Sequence, residues 1–137
     1  MYKRQASVVL IPMPDAGHVV LIRQYRYVLN RWIWELPAGS VDSGETPEAA
    51  ARRECHEEIG KEPRAMTRLS AFYPTPGYCD EFMIYYRIDG LDEGGAPAAK
   101  DIDECLEPRV FELGEARRLV ERGEIVDMKT AVGLNLI

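Results

Sequence analysis

Gly39 to Lys61, GSVDSGETPEAAARRECHEEIGK, restricts this chain more than any other stretch. It reads as a glycine-bearing loop that runs into a helix from about Pro47 to Ile59. Thr46 fits the N-cap, where its oxygen can accept from an unpaired backbone N–H, and Pro47 fits the first helical position, which needs no donor. Glu48 sets negative charge near the amino end. Ala49, Ala50 and Ala51 favour helix, and Gly60 suits the turn that stops it. On such a helix Glu54 stands beside Glu57 and Glu58, at i+3 and i+4. Three carboxylates so placed repel one another. Glutamates on an exposed helix face commonly do no more than keep it wet, whereas the same oxygen-rich group suits Mg²⁺ or Mn²⁺, hard cations that also hold water and substrate phosphate.

The surrounding spacing decides between these readings. Gly39, five residues, Glu45, seven residues, Arg53-Glu54-Cys55, one residue, Glu57-Glu58, one residue and Gly60 resembles the signature of the Nudix hydrolases. It departs at the last position, usually aliphatic and here Lys61, which weakens a packing contact and touches no carboxylate. The resemblance implies that Glu54, Glu57 and Glu58 bind metal, that Glu57 belongs to the catalytic set, and that Gly39, Glu45 and Arg53 are supports. Helical geometry points Arg53 roughly aside from the Glu54/Glu58 pair, and an arginine–carboxylate link can orient a loop or its ligands. A histidine such as His56 invites a proton-shuttle role, but it fills a variable position of the signature and reads more simply as a solvated surface residue. Cys55 fills an apolar position and is expected to pack inward. No Ser/His/Asp arrangement has local support.

The chain of 137 residues suffices for one domain, 1–137, that buries about 65–70% of its unfolded surface. A net charge of -6 argues against nonspecific nucleic-acid binding, yet does not oppose a phosphate ligand accompanied by divalent cations. No apolar run is long enough for a membrane span, and the amino end shows no signal-peptide pattern. Cys55, Cys79 and Cys105 are odd in number and lack metal-finger spacing, so they read as reduced small hydrophobes in a cytoplasmic protein.

Before the helix, Ala6 to Met13 and His18 to Arg23 read as strands joined by a turn over Pro14 to Gly17, an expected hairpin. Val19 and Leu21 alternate with Val20 and Ile22. Both faces are therefore apolar, and the second strand is expected to be internal. Gln24-Tyr25-Arg26 and Trp34-Glu35-Leu36-Pro37-Ala38-Gly39 follow. Their rings and guanidinium groups suit packing as well as they suit a nucleobase or a phosphate. In order, these segments look like the Nudix subgroup that hydrolyses ADP-ribose and related nucleoside diphosphate sugars. That resemblance implies a metal contact from the Ala38 carbonyl and substrate contacts from Arg26 and Glu35.

After the helix, Ala65 to Tyr73 and Phe82 to Ile88 read as strands around the loop Pro74 to Glu81. Pro76-Gly77-Tyr78 and Glu81 resemble the downstream motif of the same subgroup, which implies that Tyr78 and Glu81 lie near substrate. Asp89 to Lys100 reads as a mobile loop. Leu106 to Phe111 follows as a strand that Pro108 assigns to an edge or a bulge. The resemblance draws an acid from just before that strand to position or deprotonate water. Glu104 matches best, with Asp101 and Asp103 beside it. Helices are expected over Glu112 to Arg122 and Asp127 to Leu136, the latter packing through Met128, Ala131, Val132 and Leu136, with Lys129 in surface or ion-pair chemistry.

The expected fold is α/β, an α/β/α Nudix sandwich with a mixed β-sheet; alternating elements support the layers, and the resemblance supplies the strand order. It implies Mg²⁺-dependent hydrolysis of ADP-ribose to AMP and ribose 5-phosphate, with Mn²⁺ as a second candidate ion. Another nucleoside diphosphate sugar, such as GDP-mannose or ADP-glucose, is an alternative substrate, and a noncatalytic ADP-ribose-binding domain is an alternative of a different class. The usual subgroup carries a small amino-terminal sheet that assists dimerisation and adenosine recognition. Most of it is expected to be missing here, so a homodimer is expected only by another route.

Overall fold

The computed structural model describes residues 4–94 and 107–137. Among these residues seven strands and three helices follow in the order β1 (Ser7–Met13), β2 (His18–Arg26), β3 (Arg31–Glu35), β4 (Ala38–Ser40), α1 (Pro47–Ile59), β5 (Lys61–Phe72), β6 (Met83–Glu93), β7 (Glu107–Glu112), α2 (Leu113–Glu121) and α3 (Met128–Asn135).

The apolar runs of β1 and β2 are buried on both faces, and that double burial sets the layers. Val8 and Leu10 of β1, with Val20 and Ile22 of β2, pack on α1 through Ala50, Ala51, Cys55 and Ile59. The alternate residues Val9, Ile11, Val19 and Leu21 enter a second core with Ala116 of α2 and Leu134 of α3. Strands therefore lie between α1 on one side and α2 with α3 on the other, the expected α/β/α sandwich. The strand layer divides into a mixed sheet of order β4-β1-β6-β5, in which β1 and β6 are parallel, and an antiparallel sheet of order β3-β2-β7.

This division corrects the expected hairpin. β1 pairs with β4 and β6, while β2 pairs with β3 and β7. Strands apolar on both faces carry no alternation to say which neighbour they take, so adjacency in sequence misleads here. β2 is the internal strand of its sheet and β7, with Pro108, is an edge, both as expected. The two strands after the signature helix are longer than expected. β5 starts at Lys61, with Pro63 tolerated because β5 is also an edge, and Asp89 to Glu93 is no loop but the end of β6, paired with Lys61 to Ala65. Lys61 itself pairs with Glu93 at 2.5 Å. Met128 is exposed rather than packed, while Val132 and Leu136 do pack on the second core.

Candidate active site

The signature helix is built as its sequence dictates. Ala49 N donates to the Thr46 hydroxyl at 3.1 Å, Pro47 opens the first turn, and Gly60 closes the helix in the left-handed region at φ 66°. Its inner face is apolar through Ala50, Ala51, Cys55 and Ile59, all buried. Burial pushes the Cys55 thiol up to about 12, so it remains a neutral packing group. His56 is half-buried, not solvated, and its Nδ1 lies 3.3 Å from the Glu62 carboxylate.

The carboxylates meet β4. Glu54 is 8% exposed, and its carboxyl group occupies the space that a side chain on residue 39 would need. A Cβ at Gly39 would stand 2.0 Å from Glu54 Cδ and Oε1. Glu58 Oε2 accepts from Ala38 N at 3.0 Å. Two signature glutamates thus rest against the short strand whose Ala38 carbonyl is the remaining expected ligand. The glycine of the motif is a cradle for a carboxylate, and it is required for close approach rather than for a special φ.

Arg53 gathers the rest. Its Nε and Nη2 donate to Glu45 at 2.9 and 3.0 Å, Nη2 also donates to the Ser40 carbonyl at 2.9 Å, and Nη1 donates to Glu54 at 2.8 Å and Glu57 at 3.2 Å. Arg53 therefore turns toward the glutamates rather than aside, a correction that follows from its long forked side chain, whose Nη1 reaches the adjacent Glu54 and Glu57 one turn on. Its hydrogen bonds hold the Glu45 carboxyl down at about 2. Gly39, Glu45 and Arg53 form one support that joins loop, β4 and helix.

Beside β4 opens a cavity of about 770 Å³. Ala38, Gly39 and Ser40 line it, so it shares this strand with the Glu54 and Glu58 carboxylates. Arg26, Glu35 and Glu81 also line it, as do Phe72, Tyr73 and Tyr85. Arg26 donates to Glu35 as a fork, Nε to Oε2 and Nη2 to Oε1, both at 2.7 Å. Ser7 Oγ donates to Glu81 at 3.0 Å. Tyr78 is exposed on a turn and lies outside the lining. Tyr25 lies edge-on to Tyr27 and to Trp32, with ring centroids 5.1 and 5.5 Å apart, again outside the lining. Glu104, with Asp101 and Asp103, lies outside the described residues.

The cavity also takes in residues that sequence reasoning left out of the site. Asp127 and Lys129, at the start of α3, line it, and Lys129 bridges Glu35 and Asp127. Lys129 is thus an ion-pair residue as expected, but an inward one. Thr130, fully buried, accepts from Leu36 N. The helix is expected from Asp127, which the structure makes its N-cap; the partners of its first turn, 94 residues earlier, are not legible in the sequence.

The donors fit a hard divalent cation in kind: carboxylate oxygens on one helix face, seated against a strand that offers backbone carbonyls. Among the described residues no three acidic, histidine or cysteine side chains already converge as a cage. Such an ion would be held partly by substrate and water, as Mg²⁺ commonly is.

Comparison with known proteins agrees with this geometry. The model of the NUDIX domain matches residues 3–129. An ADP-ribose pyrophosphatase of Bacillus subtilis (strain 168) is 34% identical over 135 residues, 98% of this chain and 73% of the relative. One from Mycobacterium tuberculosis (strain ATCC 25618 / H37Rv) is 36% identical over 129 residues, 93% of this chain and 62% of the relative. A solved structure described as an ADP compounds hydrolase superposes with TM-score 0.85 at 24% identity, over 96% of this chain and 69% of that one, and attests the fold. No helix among the described residues is long and apolar enough to cross a membrane. With the glycine cradle, the Arg53 support and a family model spanning nearly its whole length, the chain belongs to the Nudix hydrolases.

Proposed function

We propose that the protein hydrolyses ADP-ribose to AMP and ribose 5-phosphate, as one domain over residues 1–137, with Mg²⁺ as its ion and Mn²⁺ as a substitute. The observation that carries this reading is the seating of Glu54 on Gly39 and of Glu58 on Ala38 N, at the strand that lines the cavity. The names of the relatives at 34% and 36% identity support the choice of substrate.

Glu54, Glu57, Glu58 and the Ala38 carbonyl would hold the ion, which supplies neutralisation of phosphoryl oxygens and orientation of water. Arg53 keeps Glu54 and Glu57 together against their mutual repulsion and ties them to the Glu45 loop. Arg26, aimed by Glu35, meets the diphosphate with the guanidinium N–H groups that Glu35 leaves unused. Glu81, and Tyr78 on the loop that begins at cavity-lining Pro74, are assigned to the substrate's flanks. Glu104 is the proposed acceptor of the water proton. Water oxygen bonds to one phosphorus, the bridging oxygen leaves with the other phosphoryl group, and the two monophosphates separate.

A second reading keeps the chemistry and changes the substrate to GDP-mannose, ADP-glucose or a similar compound. A relative 34% identical over 128 residues, from Streptomyces rubellomurinus (strain ATCC 31215), is named a CMP-5'-(N-acetyl-N-hydroxy-3-aminopropyl)phosphonate hydrolase, which supports only the coarser point that a nucleotide compound other than ADP-ribose can be the substrate of a similar chain. Cleavage of a panel of nucleoside diphosphate sugars and nucleoside triphosphates, with products identified by mass, separates the two. ADP-ribose is expected to be cleaved fastest. Cleavage of ATP with ADP-ribose left intact overturns the proposal.

A further inference from the structure

The first turn of α3 is fastened to the chain that leads into β4 and to Tyr85 of β6. Leu36 N donates to Thr130 Oγ1 at 2.9 Å, the Lys129 ammonium donates to Glu35 Oε1, and the Tyr85 hydroxyl donates to the Lys129 carbonyl at 2.9 Å. Asp127 closes the turn. Its Oδ2 accepts from Lys129 Nζ at 2.9 Å, from Thr130 N at 3.1 Å and from Thr130 Oγ1 at 2.6 Å. Gly133, one turn on, lies so near Leu36 that an added Cβ would stand 2.3 Å from Leu36 Cδ1. Backbone, side chain and packing all join α3 to the same few residues.

Glu35 is 1% exposed and receives two cations, the Arg26 fork and Lys129. Both Arg26 Nη2 and Lys129 Nζ reach the same oxygen, Oε1. A buried carboxylate held by one partner can pivot with it; held from β2 and from α3 together, it is a fixed point. Arg26, 43% exposed at its side chain, is the member of the group with room to move. Its direction therefore depends on where Oε1 stands.

We propose that Lys129 is a positioning residue, which fixes Glu35 from α3 and thereby aims the Arg26 guanidinium into the cavity. Its kinetic consequence rests on the reading above that Arg26 meets the diphosphate; the coupling of Lys129 to Arg26 does not.

Two measurements on the full chain test this. The Arg26 Nε–H resonance, donated to Glu35, is followed by NMR in the wild-type and Lys129→Met proteins, with a thermal melt to show that both are folded. The resonance is expected to shift and its proton to exchange faster in the variant; an unmoved resonance overturns the proposal. In the second arm, ADP-ribose turnover is measured for Lys129→Met, Arg26→Gln and the double variant. Lys129→Met is expected to lower kcat/KM by about 10- to 100-fold through KM rather than kcat, and Lys129→Arg to restore most of it. With Arg26 already replaced, Lys129→Met is expected to cost less than about twofold more. Equal losses with and without Arg26 mean that Lys129 acts elsewhere, and overturn the proposal. Lys129→Gln carries the same cycle should the methionine variant not fold. If wild-type protein leaves ADP-ribose intact, the substrate reading fails and the Arg26 resonance alone decides the proposal.

Discussion

Replacing Gly39 by alanine should disable the site while barely disturbing the fold. Gly39 is not among the described glycines with positive φ, so alanine meets no backbone strain there. It meets the Glu54 carboxyl instead, with Cδ and Oε1 at 2.0 Å and Oε2 at 2.6 Å from the new Cβ. Ordinary contact begins at 3.4 Å, so the carboxyl has to retreat by about 1.4 Å. A displacement of about 1 Å in a reacting constellation costs on the order of 10²-fold in rate. Crowding of this kind costs about 1–3 kcal/mol, and the low end applies because a flexible side chain yields. Gly60→Ala is the control. Its φ of 66° imposes strain of about 1–2 kcal/mol, but nothing lies within 4 Å of the new Cβ, so stability should fall with turnover kept. Urea denaturation and a phosphatase-coupled assay, in which only the monophosphate products release phosphate, measure both quantities. Gly39→Ala with wild-type turnover and wild-type Mn²⁺ affinity would refute the cradle.

Thr130→Val keeps shape and removes a hydroxyl that accepts from Leu36 N and donates to Asp127, so unfolding free energy should drop by about 1–3 kcal/mol; an unchanged urea midpoint contradicts this. The Glu35 cluster sets an acid limb. Burial pushes the Glu35 carboxyl up, but the Arg26 hydrogen bonds and the Lys129 charge outweigh it and leave the group below its ordinary 4.5. Its contribution is fully present above that ordinary value and is lost as pH falls through the lower folded one. Glu35→Gln should flatten this limb in acid denaturation, and superimposable limbs would dismiss the role.

Local chemistry was legible in the sequence because it is written in neighbours. Thr46, Pro47 and Gly60 mark α1 at its true ends, and Pro108 marks an edge strand. Pairing was not legible where a strand is apolar on both faces, hence the mistaken hairpin of β1 with β2. The site divided in the same way. Spacing found the glutamates, but not that Gly39 is a seat for Glu54, nor that Arg53 holds Glu45, Glu54 and Glu57 at once. Lys129 and Thr130 reach β3 and the β3–β4 link across 94 residues, and nothing near them in sequence names their partners.

The proposed hydrolysis depends on Glu54 and Glu58 bringing a divalent ion to a diphosphate held against β4. Titration calorimetry with Mn²⁺, in the presence of a nonhydrolysable diphosphate analogue of ADP-ribose, tests it most directly in wild-type protein and in the Glu54→Gln/Glu58→Gln variant. Ion uptake in the wild type, its loss in the variant and the end of turnover on chelation are the predicted results. Undiminished uptake in the variant, or turnover that persists without divalent ions, would contradict it.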